Sequence, residues 1–379
     1  MIFKIERKDF YQGLNITHRA CASSNTMPIL KGILIEAKED KGLHLMGTDL
    51  EIGIENWVPA DVEKEGKIVL PANQLRNIIR ELPNEEINFE VDLKRYKANI
   101  TCLNSQFTIN GYNPEEYPQL PDVNIPTELE ISSSKLKKVI SEVEFSTSSD
   151  QTQPVLTGSL MVLEEDQIKM VSTNKYRLAY SRIENKNDID EKIDIIIPGA
   201  TIKEISNLLE EEGTVEMKVN ENYASFNFND IIVVSRLIEG KFPNFEQVIP
   251  DKKNTTITVN KEYLQAAVKR ASLIAKLDSN IVSLKSKDNS LIIKAEETDS
   301  GSAREEVPIN LEGENHKISI DASYLLDVLK VIEEEKVKLE LIGSLNPLVL
   351  KKEDTDEYIY LIMPIRPGNE EEDEENEGA

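Results

Sequence analysis

Leu70-Pro71-Ala72-Asn73, Ile197-Pro198-Gly199-Ala200 and Ile320-Asp321-Ala322-Ser323 open one pattern three times over. Each leads from an apolar strand end into a run with helical spacing. The runs are Leu75, Ile78, Ile79 and Leu82, then Ile202, Ile205, Leu208 and Leu209, then Leu325, Leu326, Leu329 and Ile332. Leu75, Ile202 and Leu325 lie 127 and 123 residues apart. Proline near a helix start costs nothing there, because its missing N–H has no intrahelical partner in any case. A second series runs in step with the first. Phe10, Leu136 and Leu264, 126 and 128 residues apart, each follow a short strand and a polar stretch that reads as a helix cap.

Between the helices the period changes to two. Val337-Lys338-Leu339-Glu340-Leu341-Ile342 alternates cleanly, and residues 169–173 with 176–183 read as a hairpin around Asn174-Lys175. Each unit therefore reads as strand, helix and three strands, given twice. The fold class is α+β: three repeated domains, each with two helices packed on antiparallel sheet. The boundaries fall at 1–121, 128–250 and 253–367, and residues 368–379 read as a disordered acidic tail. Periodicity alone is equally served by a plain string of three such domains.

The chain has 379 residues, 39 % of them apolar, and no run of the length that a membrane span needs. Met1-Ile2-Phe3-Lys4 opens without the apolar core of a signal peptide. Cys21 and Cys102 form no C-x-x-C pair and no disulfide framework, which suits a reducing cytoplasm. The net charge is −25, and seven of those charges lie between Glu370 and Glu377. Taken alone, that sign argues against nucleic acid. The helices that open each unit are less acidic, however. Arg7, Lys8 and Arg19, then Lys135, Lys137 and Lys138, then Lys261, Lys269 and Arg270 recur on equivalent helices, and Arg76 and Arg80 join them from the helix after Pro71. A surface lined by them is locally positive inside an acidic shell, because screening is short-ranged. Binding there would be electrostatic, sequence-independent and salt-sensitive, with Arg19, Arg76, Arg80, Lys135, Lys138 and Lys269 facing a nucleic-acid backbone. The plain alternative is the solvated face of ordinary surface helices.

Six strings carry a resemblance: 26–34 (TMPILKGIL), 47–52 (GTDLEI), 154–158 (PVLTG), 173–179 (TNKYRLA), 242–250 (FPNFEQVIP) and 360–366 (YLIMPIR). In this order and spacing they resemble the beta subunit of bacterial DNA polymerase III, the sliding clamp, from Met1 to about Pro367. The resemblance implies a homodimer of three-domain chains that closes head to tail into a ring around DNA. It also implies partners: polymerase subunits, the clamp loader and repair proteins, which insert linear motifs into an apolar cleft. The matching cleft positions are Leu156, Thr173, Tyr176, Arg177, Leu178, Pro243, Val248, Leu361, Met363, Pro364 and Arg366. Leucine, valine, proline and methionine suit an adaptable apolar pocket, while Arg177 and Arg366 would orient a peptide's carbonyls or acidic flank. Without the family, Leu178 and Leu361 read as strand core. Phe107, Leu273 and Ile274 match the apolar dimer seam, with plain core as the alternative. The chain departs from the family pattern at Tyr176, which stands where a histidine is usual, and at Gln247. Ser24, Asn73, Asp150, Pro154 and Val155 match DNA-contacting sites that are basic, polar or aromatic in some relatives.

His18, His44 and His316 are scattered without metal-ligand spacing, and no phosphate-binding or nucleophile motif occurs. The expectation is a non-catalytic protein without cofactor or metal and without membrane contact. Two rivals stay open: a hydrolase using paired acids on a repeated scaffold, and an acidic protein-binding scaffold that never touches DNA.

Overall fold

The computed structural model describes residues 1–24, 27–123, 127–186, 189, 191–250, 252–277, 279–297, 301–353 and 355–366. Thr26 of the first string, Pro367 and the tail expected at 368–379 lie outside the described residues.

Six helices stand where the two series of apolar runs place them: α1 (Arg7–His18), α2 (Ala72–Glu81), α3 (Ser133–Val143), α4 (Gly199–Leu208), α5 (Lys261–Ala275) and α6 (Ala322–Val331). In the middle repeat, Thr127–Ser132 leads into α3 and then into Gly158–Leu163, Gln167–Thr173 and Arg177–Glu184. Ile193–Pro198 then leads into α4 and into Thr214–Val219, Tyr223–Phe228 and Ile231–Arg236. The last repeat does the same with α5 and α6. The first adds one strand, Asp61–Lys64. Every strand pairing among the described residues is antiparallel (for example).

The buried faces follow the apolar spacing. Phe10, Gly13 and Leu14 of α1, Leu75 and Ile79 of α2, Leu264, Ala267, Val268 and Ala271 of α5, and Leu325, Val328 and Leu329 of α6 are all inside. Phe3 and Phe89 stack at 4.6 Å between ring centroids, and Phe10 meets both edge-on. These three rings lie in the core that α1 and α2 cover.

The helix starts differ from the sequence expectation. Side-chain caps occur at Asn260, which accepts from Tyr263 N, and at Asp321, which accepts from Ser323 N. Glu6 and Pro71 make none. At α1, α3 and α5 the first N–H also finds a carbonyl just before a distant strand. Arg7 N donates to Glu85 O, Ser133 N to Gly213 O and Lys261 N to Glu335 O. An orphan N–H needs only some acceptor, and the sheet beside each helix supplies a carbonyl at the same place in all three repeats.

The chain forms two compact units. The first holds residues 1–137, 187–190 and 200–239, and the second holds 138–186, 191–199 and the described residues from 240 onward. The first unit has two sheets. One is five-stranded, with Asp61–Lys64 and Ser105–Asn110 at its edges; the other is eight-stranded. The second unit has a single twelve-stranded run. Sheets continue across repeat boundaries: Ile231–Arg236 pairs with Ile52–Val58, and Arg177–Glu184 pairs with Tyr358–Ile362.

Candidate functional site

The second of these junctions carries a groove, and a tight turn positions it. Thr173 Oγ1 donates to Arg177 O at 2.7 Å and accepts from Lys175 N at 3.2 Å. Asn174 Oδ1 accepts from Tyr176 N at 3.1 Å and from Arg177 N at 3.0 Å. Asparagine holds such turns because its short side chain mimics a backbone carbonyl. Lys175 sits at φ +79° as a result. Met363 N then donates to Tyr176 O at 2.8 Å, which fixes the last strand's exit against the turn.

The groove spans about 570 Å³, part of it open to solvent, and is lined by Leu156, Thr173, Lys175, Arg177, Leu178, Phe242, Pro243, Phe245, Val248, Leu361 and Met363. Leu156, Leu178 and Leu361 are buried and form its floor, while Val248 and Met363 stand exposed at its rim. Eight of the eleven expected positions thus meet here. Tyr176, Pro364 and Arg366 do not line it: Tyr176 and Arg366 are exposed, and Pro364 is half-buried. Lys175, Phe242 and Phe245 were not expected. Both phenylalanines lie in the 242–250 string, but that segment has no helical or strand period, so spacing could not say which way they face.

Arg177 has a different part from the one its sequence position suggested. Its Nη1 donates to Asp327 Oδ2 at 2.8 Å, and its Nη2 donates to the carbonyl of Phe145. The guanidinium lies over the Tyr324 ring at 4.6 Å and the Phe145 ring at 5.5 Å. A cation so engaged stiffens the groove wall. Burial works to raise the Asp327 pKa, but hydrogen bonds from Lys330 and Arg177 prevail and hold this carboxyl below its ordinary value.

The expected DNA-facing cations divide into two groups. Arg19 is paired with Glu204 at 2.7 Å and Arg80 with the adjoining Glu81 at 2.8 Å. Lys135, Lys138 and Lys269 are exposed, and Arg76 is half-exposed. One cluster is built. His18 Nε2 meets Asn73 Oδ1 at 2.8 Å between α1 and α2, and burial lowers the His18 pKa, with the charges of Arg76 and Arg19 adding to the effect. Asn73 is one of the positions that match DNA-contacting sites of the family, and the contact joins it to His18. Of the seam positions, Phe107 is 39 % exposed on an edge strand, Leu273 is 66 % exposed on α5, and Ile274 is half-buried. Leu277, also exposed, extends that apolar end of α5. Among the described residues no group of three or more His, Cys, Asp or Glu is placed to hold a metal ion. No helix among them is long and apolar enough to cross a membrane.

Three family models match the chain in order: the N-terminal domain of the DNA polymerase III beta subunit over residues 1–121, its central domain over 130–244 and its C-terminal domain over 246–366. A protein of Staphylococcus epidermidis named beta sliding clamp is 32 % identical over 377 residues, covering 97 % of this chain and 99 % of its own. The crystal structure of the DNA polymerase sliding clamp from Bacillus subtilis superposes with a TM-score of 0.93 at 29 % identity, covering 97 % of this chain and all of the other. That of a DNA polymerase III beta subunit from Eubacterium rectale, described as putative, gives 0.91 at 30 % identity, again over 97 % of this chain and all of the other. Three consecutive copies of one α+β unit, matched end to end, define a processivity clamp. The chain belongs to the DNA polymerase III beta subunit family, the sliding clamps, which are non-catalytic processivity factors of DNA polymerase III.

Proposed function

We propose that two copies of this chain close into a ring around duplex DNA in the cytoplasm. The groove at Leu156, Leu178, Leu361 and Met363 takes the linear motifs of polymerase subunits, the clamp loader and repair proteins. The groove itself carries the partner half of this reading: its floor is aliphatic, its rim holds an exposed methionine and valine, and a pinned turn shapes it. An extended peptide with one or two apolar anchors is the ligand such a surface suits.

Support for the ring comes from the apolar positions left uncovered. Ser105–Asn110 ends a sheet and presents Phe107, and the last turn of α5 presents Leu273, with Leu277 just beyond the helix. An unpaired strand edge with an apolar side chain is a template for association. Three domains per chain, read at 1–121, 128–250 and 253–367 beside family matches over 1–121, 130–244 and 246–366, would give a six-domain dimer, and C2 closure leaves no open end.

The topological claim is tested by loading the protein onto nicked circular DNA and then cutting the circle. Retention on the circle and loss from the linear form is the expected result. Equal retention on both would refute encirclement and favour a scaffold that binds by contact alone. For the groove, Met363→Ala with Pro364→Ala should abolish binding of a polymerase-derived peptide while the dimer persists. Unchanged affinity would remove the groove from the partner reading.

A further inference from the structure

The first unit contains the same turn a second time. Thr48 Oγ1 donates to Ile52 O at 2.8 Å and accepts from Leu50 N at 3.0 Å. Asp49 Oδ1 accepts from Glu51 N and Ile52 N, both at 2.9 Å. Leu50 sits at φ +83°, as Lys175 does at +79°. Arg236 N donates to Glu51 O at 2.8 Å, where Met363 N donates to Tyr176 O at the same distance. Gly53 pairs with Val234 as Leu178 pairs with Leu361. The two frames thus correspond bond for bond, with Arg236 standing where the other has Met363.

The floor is made differently. A Cβ on Gly53 would lie 2.2 Å from Leu120 Cδ2, so the linker's Leu120 occupies the space that a side chain at position 53 would take. It thereby supplies the aliphatic surface that Leu178 supplies from its own strand. Beside it lies an open pocket of about 640 Å³, part of it solvent, bounded by the apolar Ile52, Val234 and Leu50 and by the polar Glu51, Gln119 and Arg236.

We propose that this first frame is a second docking groove, taking an extended segment of a partner protein that carries an aliphatic side chain next to an acidic one. The inference rests on the reading of the second frame as a peptide groove. Leu50 is its second support. A leucine in the left-handed region is strained, and this one is 49 % exposed at the groove's rim, where it adds little to the core. Asparagine would hold the same turn without that strain. An aliphatic side chain kept there at a cost presents itself to a ligand. Arg236 fixes the flanking charge. Its pairing with Glu51 is 3.5 Å long and exposed on both sides, so a partner's carboxylate displaces it at little cost.

The test uses the full chain carrying Met363→Ala and Pro364→Ala, so that the second frame is disabled. The probe is a short fluorescent peptide with one leucine flanked by aspartates, alongside its lysine-flanked counterpart. Saturable binding of the aspartate peptide is expected. Leu50→Asn should weaken it about tenfold with no fall in Tm, and Arg236→Glu should turn the preference to the lysine peptide. Absence of saturation, or an affinity indifferent to both substitutions, overturns the proposal. The two readings separate cleanly: sensitivity of a polymerase-derived peptide to Met363 and Pro364 reports on the second frame, and sensitivity to Leu50 and Arg236 reports on the first.

Discussion

Lys352 looks like a surface residue in a charged stretch, Lys351-Lys352-Glu353-Asp354. It is instead 6 % exposed. Its Nζ donates to Glu142 Oε1 at 2.7 Å and to Glu334 Oε1 at 3.0 Å, and the Glu142 side chain is only 4 % exposed. The Ser181 hydroxyl donates to the other oxygen of Glu142. Lys352→Met would leave Glu142 buried without a cation, at a cost of about 3–5 kcal/mol, whereas adding Glu142→Leu should recover most of the loss. Urea titration of both variants checks this; equal destabilisation would deny the coupling. His18 supplies a pH dependence. Its folded pKa lies below the ordinary 6.5, with burial as the main cause, so the unfolded chain takes up the proton first. Stability present above pH 6.5 is therefore lost as pH falls through the folded value. If α1 faces DNA, a phosphate near His18 should raise that pKa, and an NMR titration of the imidazole with and without a duplex would show it. Cys21 is pushed up to about 12 by burial, so its thiol should resist alkylation at neutral pH until the protein is unfolded.

Two copies of one linker take different paths at the scale of elements. Three residues after Tyr117 of Tyr117-Pro118 stands Leu120, which lies over Gly53. Three residues after Phe242 of Phe242-Pro243 stands Phe245, which stacks on Tyr180 with centroids 5.9 Å apart. Leu178 already fills the place above its strand, so Phe245 finds its partner two residues further along, and the groove stays open beside it. Tyr180→Ala should let Phe245 fall back toward the groove and weaken a polymerase-derived peptide about tenfold, with Tyr180→Phe restoring the affinity. A normal affinity for Tyr180→Ala would deny the stack any positioning role. The helices were legible at this scale because their apolar stripes are local. The backbone carbonyls that receive the first N–H of α1, α3 and α5 were not, since each comes from the residue before a strand, 74 to 80 residues away.

For the whole molecule, the charge of −25 and the proposed encirclement of DNA coexist only if sign is distributed unevenly. Arg19 and Arg80 are already paired with carboxylates, so the exposed Lys138 and Lys269 and the cluster at Arg76 are the candidates for phosphate contact. Contacts of that kind loosen with salt, while a closed ring does not. Retention on closed circular DNA should therefore survive salt that strips the protein from linear DNA. Leu273→Asp places a charge on the apolar end of α5, and folded monomers in analytical ultracentrifugation are the expected result. A dimer that persists would move the seam elsewhere.

The sequence by itself determined the three repeats, the six helices and the alternating strands. All of these follow from periodicity and residue type, which act over a few neighbours. Only the tertiary structure decided that Arg177 serves Asp327 and Phe145, that Phe245 lines the groove while Tyr176 stands outside it, and that sheets run through repeat boundaries. Those outcomes depend on which distant groups compete for one cation, one ring face or one strand edge. That competition is settled by packing, between residues whose separation along the chain leaves no local trace.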